Sequence, residues 1–361
     1  MESMEINTNF WKNKSVFITG HTGFKGSWIS LFLQHLGANV TGYALEPNTE
    51  KNIFNIANVK CNMNSVISDI RDYDSLLVEI KNAEPEIIFH MAAQPLVRES
   101  YSHPIETYDI NLMGTINLLN ICREITSIRS VINVTTDKCY ENKEWIWGYR
   151  EDEPMGGYDP YSSSKACSEI ATASFRRSYF NKDNYANHGV GIATARAGNV
   201  IGGGDWSKDR LIPDIINSIA ENKELKIRNL MSTRPWQHVL EPIYGYLILA
   251  EKLYSHGADY SEAWNFGPES FNIVSVQNIL DKLNNLFSNK IIWSEDNSVN
   301  PHEASLLSLD ISKAKNRLNW HPNFSIDKTL ELVVDWHKNF LDNQNMREFS
   351  ISQIKYFLSQ L

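Results

Sequence analysis

Tyr161 and Lys165 stand four residues apart at the start of a stretch with helical periodicity, so both side chains leave one face of a helix. A phenol has an ordinary pKa of about 10 and is a poor base at neutral pH, but a nearby ammonium favours its phenolate. Such a pair suits removal of a hydroxyl proton while hydride departs from the same carbon. Upstream, an apolar run ends in Thr135, Thr136, Asp137 and Lys138. These bring two hydroxyls, a carboxyl and an amine to one strand end. Tyr-x-x-x-Lys is a frequent accident, and a solvated surface helix would carry it equally well. Its meaning comes from what precedes it.

The apolar run 15–19 passes directly into Gly20, His21, Thr22, Gly23, Phe24, Lys25 and Gly26, and a helical pattern begins at once. Backbone N–H groups at a helix N-terminus neutralise a pyrophosphate, and glycine allows both the turn and the close approach. Strand before and helix after make this a dinucleotide site and not an ordinary turn. Asp69 and Ile70 follow the third strand, where Asp69 is placed to meet the adenine. Met91, Ala92 and Ala93 end the fourth and leave room for a nicotinamide, whose ribose Lys165 would hold beside Tyr161. An acid after the second strand would bind the ribose hydroxyls and repel a 2′-phosphate. Ala44 stands at that place, and Glu46 two positions later is either that acid or a solvated loop residue. The loop 45–52 has one lysine and no arginine, which favours NAD over NADP.

The elements that must position these groups are legible as short β-branched runs at 15–19, 40–44, 87–90, 131–135 and 190–196, alternating with helical stretches at 27–36, 73–81, 104–124 and 160–179. The alternation predicts an α/β fold, a Rossmann-like doubly wound parallel sheet. Beyond Gly198 the pattern loosens into a glycine-rich turn, a helix from 211, a strand at 225–228 and a Trp-containing segment at 234–239. We read residues 1–198 as the dinucleotide domain and 199–361 as mainly a smaller substrate lobe, with segments returning to the first domain.

Composition narrows the function classes. There are 34 Lys plus Arg against 43 Asp plus Glu, so no chain-wide basic field holds a nucleic acid. Cys61, Cys122, Cys139 and Cys167 form no C-x-x-C pair, which argues against a metal site or a disulfide framework and for a reducing cytoplasm. The N-terminus lacks a basic and then apolar leader, and no apolar run reaches the length of about eighteen residues that a membrane helix needs.

The stretches HTGFKGSW, HMAAQPLVR, TDKCYEN, WGYRE, PMGGYDPYS, RAGNVIGGGDW, DRLIPD and RPWQHVLEP, with HEA at His302, resemble the sugar-nucleotide 4,6-dehydratases of the extended short-chain dehydrogenase/reductase family over nearly the whole chain. The resemblance implies a nucleotide-activated hexose as substrate, CDP-glucose rather than dTDP-glucose, and NAD regenerated within each turnover. It implies Tyr161 as the base at the 4-hydroxyl, Thr135 or Thr136 orienting that hydroxyl, and Asp137 as the acid at the 6-hydroxyl. Lys138 departs from the family, whose commoner members place there the Glu that takes the C5 proton; it is either a neutral amine base or a stabiliser of the developing enolate. Gln94, Arg98, Arg196, Asn199, Arg210, Arg234, His302 and Glu303 would meet the substrate, each arginine being alternatively a structural ion pair. Trp206, Trp236, Trp145, Trp147 and Tyr149 either wall the base and sugar or pack in the core. In this family the helices at 104–124 and 160–179 commonly pair between subunits, which implies a homodimer or homotetramer with Ile116, Leu118, Leu119, Ala166, Ile170 and Ala173 as candidate contacts. A 4-epimerase or reductase would keep Tyr161, Lys165 and NAD but need no acid at Asp137.

Overall fold

The computed structural model describes residues 6–288, 290–296 and 306–361. Seven parallel strands form one sheet: β1 Ser15–Thr19, β2 Asn39–Ala44, β3 Asn64–Ile67, β4 Ile87–His90, β5 Ser130–Val134, β6 Gly191–Ala197 and β7 Ala263–Phe266, in the spatial order β7-β6-β5-β4-β1-β2-β3. The order reverses between β1 and β4, and in open α/β sheets the ligand crevice lies outside the strand ends at that reversal.

The central strands β4, β5 and β6 are buried along their whole length because helices cover both faces, whereas the edge strand β3 is partly exposed. Alternate residues feed separate cores. Val16 and Ile18 of β1 face one side, where α1 (Phe24–His35) and the long helix α6 (Leu240–Tyr260) pack with Trp28, Leu247 and Leu253. Phe17 faces the other, with Leu76 and Ile80 of α2 (Tyr73–Ala83) and Leu118 and Leu119 of α3 (Gly114–Ile121). Each such fully buried side chain is worth roughly 1.5–3 kcal/mol relative to exposure. Helix α4 (Pro160–Ser178) packs against α3 and starts where Asp159 accepts from the backbone N–H of Ser162 at 2.9 Å, with Pro160 in its first turn. That cap sets Tyr161 and Lys165 at the mouth of the sheet.

Two sequence expectations change. The helix expected at 104–124 is broken into Pro104–Tyr108, a π-turn Asp109–Met113 and α3. Inside the π-turn the Asn111 amide is drawn to the Gln94 carbonyl at 3.1 Å and to the Ser164 hydroxyl at 2.9 Å. Leu118, Leu119 and Ala166 lie in the core of the monomer, whereas Ile105 (86% exposed) and Ile170 (58%) face outward from the neighbouring helices.

The segments after β6 build a further core. Ile212 and Ile215 of α5 (Leu211–Glu221), Leu225 and Ile227 of the strand Leu225–Ile227, and Trp236 pack with Ile279, Leu283, Leu330 and Val333. Between the two parts, β7 returns to the main sheet beside β6. Trp206 sits in the interior against Trp336 and Phe340, with ring centroids 5.7 and 5.4 Å away, Trp145 packs on Tyr149, and Trp147 is exposed. Of the tryptophans singled out as walls, Trp236 lines the cleft.

Candidate active site

A cleft of about 1400 Å³ opens at the ends of β1, β4, β5 and β6 and runs on to α5 and the strand Leu225–Ile227. It exceeds the roughly 300–1,000 Å³ of a pocket for one drug-sized ligand, so two ligands can meet in it.

One end is the glycine turn. Gly20 has φ +80°, and a Cβ there would lie 2.7 Å from the Met91 backbone. A Cβ on Gly26 would lie 2.0 Å from the Gly20 carbonyl oxygen. The turn is therefore as tight as a backbone allows, and α1 begins at Gly23 with no side chain capping its first N–H groups. The opposite wall is held by Thr19, whose hydroxyl accepts from Met91 and Ala92 N–H at 3.0 and 3.1 Å and bonds His90 at 2.7 Å. Thr22, Gly23, Phe24, Lys25, Glu46, Asp69, Ile70, Met91, Ala92 and Ala93 line this end. The Asp69 carboxylate is gripped by Arg71 at 2.6 Å, which holds its pKa down. His21 is a correction. Its ring turns away beneath β2, bonds Ser65 at 2.7 Å and lies where any Cβ on Gly42 would collide, so only its backbone belongs to the turn.

The reacting groups converge where β5 ends. Thr136 donates to Asp137 at 3.1 Å, accepts from the Lys138 N–H at 3.3 Å and shares a hydrogen bond with the Tyr161 phenol. Burial pushes the phenol up to about 12, with the Thr136 bond and Arg210 pulling it back. The Lys165 ammonium is bonded to the Val134 carbonyl at 3.1 Å, and burial lowers its pKa to about 8. Asp137 is buried, and loss of water raises its pKa against the pull of Lys138, the Thr136 bond, Arg234 and Lys25. Lys25 is lowered to about 7 by burial and by the charges of Lys165 and Arg210.

Beneath this cluster lies an ion pair that corrects two expectations. Arg196 turns inward and makes two 2.9 Å hydrogen bonds to Glu169, with Tyr140 accepting from it at 2.6 Å. Both side chains are almost wholly buried, so Arg196 braces β6 against α4 and does not reach the cleft. Glu169 also accepts from Thr135 at 2.5 Å, which commits that hydroxyl and leaves Thr136 as the threonine beside the phenol. Gln94 lines the cleft, but its amide is folded onto its own loop, donating to Leu96 and Thr107 and accepting from the Leu96 N–H at 2.6 Å.

Toward the other end Arg98, Asn199, Arg210 and Arg234 line the cleft. Arg210 pairs with Asp205 at 3.2 Å and Arg98 with Asp209 at 3.6 Å, while Arg234 stands close enough to Asp137 to act on its charge. His302 and Glu303 lie outside the described residues. Among the described residues no group of three or more metal-ligating side chains occurs.

Two residues, Glu169 and Asp214, and one juxtaposition, Lys25 with Asp137, escaped the sequence reading. Glu169 follows Lys165 by four on the same helix, so helical spacing alone could have brought it to the site. The approach of Lys25 to Asp137 left no local signal, because the two are brought together only by the pairing of the strands before them. Asp214, in the first turn of α5, lines the substrate end and looks in sequence like any acid favoured at a helix start.

A sequence model of the family described as GDP-mannose 4,6 dehydratase matches residues 17–333. The chain is 52% identical over 354 residues to CDP-glucose 4,6-dehydratase of Salmonella typhimurium, covering 98% of this chain and 99% of that protein. It is 25% identical to UDP-glucuronate 4-epimerase of Thermodesulfobacterium geofontis, covering 90% and 96%. The fold matches UDP-glucose 4-epimerase of Thermotoga maritima with a TM-score of 0.78 at 20% identity, over 90% and 99% of the two chains. It also matches dTDP-glucose 4,6-dehydratase of Bacillus anthracis, solved in complex with NAD, with a TM-score of 0.74 at 21% identity over 91% and 98%.

Proposed function

Because this chain belongs to the GDP-mannose 4,6-dehydratase family, we propose that it is an NAD-dependent sugar-nucleotide dehydratase that converts CDP-glucose to CDP-4-keto-6-deoxyglucose and water. The observation that carries the reading is Asp137: a buried acid, its pKa raised, one hydrogen bond from the threonine that also bonds the Tyr161 phenol. An epimerase needs no proton donor there. The 52% identity to the Salmonella typhimurium enzyme supports the choice of nucleotide and sugar.

The glycine turn and the uncapped start of α1 fit a dinucleotide pyrophosphate, with Glu46 rather than a cation at the ribose end. NAD bound there would supply a hydride acceptor for C4 and the hydride donor for C6, so none would accumulate reduced. Tyr161, oriented by Thr136, takes the proton of the 4-hydroxyl. The resulting 4-ketone acidifies the C5 hydrogen, which Lys138 removes, and Asp137 gives its proton to the departing 6-hydroxyl. Arg210 places positive charge where the phenolate forms, Lys25 places it beside Asp137, and Arg98, Asn199, Arg210 and Arg234 face the sugar-nucleotide diphosphate.

We assign residues 1–198 to dinucleotide binding and 199–361 mainly to the substrate. Among the described residues no helix is long and apolar enough to cross a membrane, and the four unpaired cysteine thiols suit the cytoplasm. Two copies pair through the faces bearing Ile105 and Ile170, with sedimentation at micromolar concentration as the check. The function is tested by incubation with CDP-, dTDP-, UDP- and GDP-hexoses. A 4-keto product from CDP-glucose without added reductant is expected, and steady accumulation of NADH or an unchanged 4-hydroxyl would refute it.

A further inference from the structure

Asp214 faces the cleft from the first turn of α5, four residues after Arg210, which precedes that helix. Its electrostatic surroundings order the cleft. Arg210 acts on Tyr161, whereas the charges acting on Asp214 are those of Asp209, Arg228, Asp205 and Arg98. Asp214 therefore stands among the charges at the arginine end of the cleft, four residues along the chain from Arg210. Beside these charges an apolar strip of Ile212, Pro213, Leu225, Ile227 and Trp236 lines the same end. The other two acids here are engaged, Asp205 by Arg210 and Asp209 by Arg98. The carboxyl of Asp214 is raised to about 6, first by burial and then by Asp209, so at neutral pH it is mostly ionised and can only accept hydrogen bonds.

A sugar nucleotide is strung in the order hexose, diphosphate, ribose, base. With the hexose at Tyr161 and the diphosphate at the arginines, the base falls beyond Arg210, against this apolar strip. We propose that Asp214 reads the exocyclic amine of cytosine and so sets the preference for a cytidine nucleotide, an inference that rests on the substrate reading above. Cytosine presents an N4–H₂ donor at the position where uracil and thymine present the O4 acceptor. A carboxylate pairs with the first. Opposite the second it sets two acceptors face to face in a site with little water, and a site built to bond a polar group strongly rejects the analogue that lacks it.

The test compares kcat/KM for CDP-glucose and UDP-glucose in the wild type and in Asp214→Asn, which keeps the size of the side chain and adds a donor able to meet O4. The ratio of CDP-glucose to UDP-glucose should fall tenfold or more, chiefly through KM for CDP-glucose, within the range of about 5- to 150-fold for loss of one good base contact. Binding of CMP against UMP, read by calorimetry, should shift in the same sense. Asp214→Ser repeats the comparison should the Asn variant not fold. Equal losses on both substrates would make Asp214 a mere support for Arg228 and overturn the proposal, as would an unchanged ratio. Either result in an enzyme that still prefers CDP-glucose leaves the substrate reading standing. A wild type that dehydrates UDP- or GDP-hexoses in preference overturns both.

Discussion

Asp137→Asn separates oxidation from elimination. The Asp137 oxygen that accepts from Thr136 at 3.1 Å is retained as the amide oxygen, so the hydrogen bonds that hold Thr136 beside Tyr161 persist. What is lost is the proton. General-acid catalysis contributes about 10²–10⁴-fold, which is about 2.7–5.5 kcal/mol of barrier. Because the amide keeps the size of the carboxyl and its contact with Thr136, the substitution should not disturb the fold. Formation of the 4-keto-6-deoxy product should therefore fall by 10²-fold or more. Mixing with CDP-glucose should still give the absorbance of reduced nicotinamide, and that signal should decay slowly because the hydride has no acceptor carbon until water leaves. Stopped-flow absorbance together with steady-state product formation measures both. Turnover at the wild-type rate would show that the acid lies elsewhere and would return the 4-epimerase or reductase reading.

Three other outcomes follow from individual contacts. Lys138→Met should slow exchange of the C5 hydrogen with solvent deuterium at least tenfold, read by mass spectrometry, whereas intact exchange would leave Lys138 only the stabilisation of charge. Glu241 caps the backbone N–H groups of Asn323 and Phe324 at 2.9 and 2.7 Å, and its carboxyl, raised by burial from 4.5 to about 8, is more protonated folded than unfolded. Its contribution to stability is therefore full below about pH 4.5 and lost as pH rises to about 8, at up to about 1.4 kcal/mol per unit. Urea unfolding at pH 6 and pH 9 should show Glu241→Gln gaining about 2–3 kcal/mol relative to the wild type over that interval, and equal pH slopes would refute it. Glu169→Ala strands the buried Arg196 guanidinium and should cost about 3–5 kcal/mol in the same assay, so a loss under about 1 kcal/mol would contradict the bracing role.

The features legible in the sequence were those set by local periodicity and by backbone demands. The strands 15–19 and 87–90 and the helix start at Pro160 coincide with the observed elements, because apolar runs covered on both faces and an Asp-Pro cap are local signals. The glycine turn was legible for a similar reason: the collision at Gly26 admits no side chain. Long-range pairing was hidden. Arg196 reads as a cation at a strand end, and only the fold shows that period-two alternation points it inward at Glu169. Thr135 and Thr136 differ by one position in an extended strand end and so face opposite ways, one to the ion pair and one to the phenol. Gln94 and His21 were assigned to ligands because their motifs are; Thr107, which bonds the Gln94 amide, and Gly42, which leaves room for the His21 ring, lie 13 and 21 residues away in the chain.

Two amines of the cleft are held below their ordinary range. Lys25 stands near Lys165, Arg210 and Asp137, and Arg210 also acts on Tyr161, opposed there by Asp137 and Asp159. Burying a cation is unfavourable, and it is expressed as the lowering of Lys25 to about 7 and of Lys165 to about 8, the latter against the pull of Glu169. A ligand that brings a diphosphate adds an anion and raises both. Binding is thereby linked to proton uptake, and affinity should fall as pH rises above about 7, where Lys25 is neutral before the ligand arrives. Calorimetry of CDP binding at pH 8, in two buffers of different ionisation enthalpy, should show a net uptake approaching one proton; binding with no uptake would mean that these amines do not sense the diphosphate. The same linkage bears on turnover. Amines that exchange protons near neutrality can neutralise the phenolate and the developing enolate without permanently trapping either.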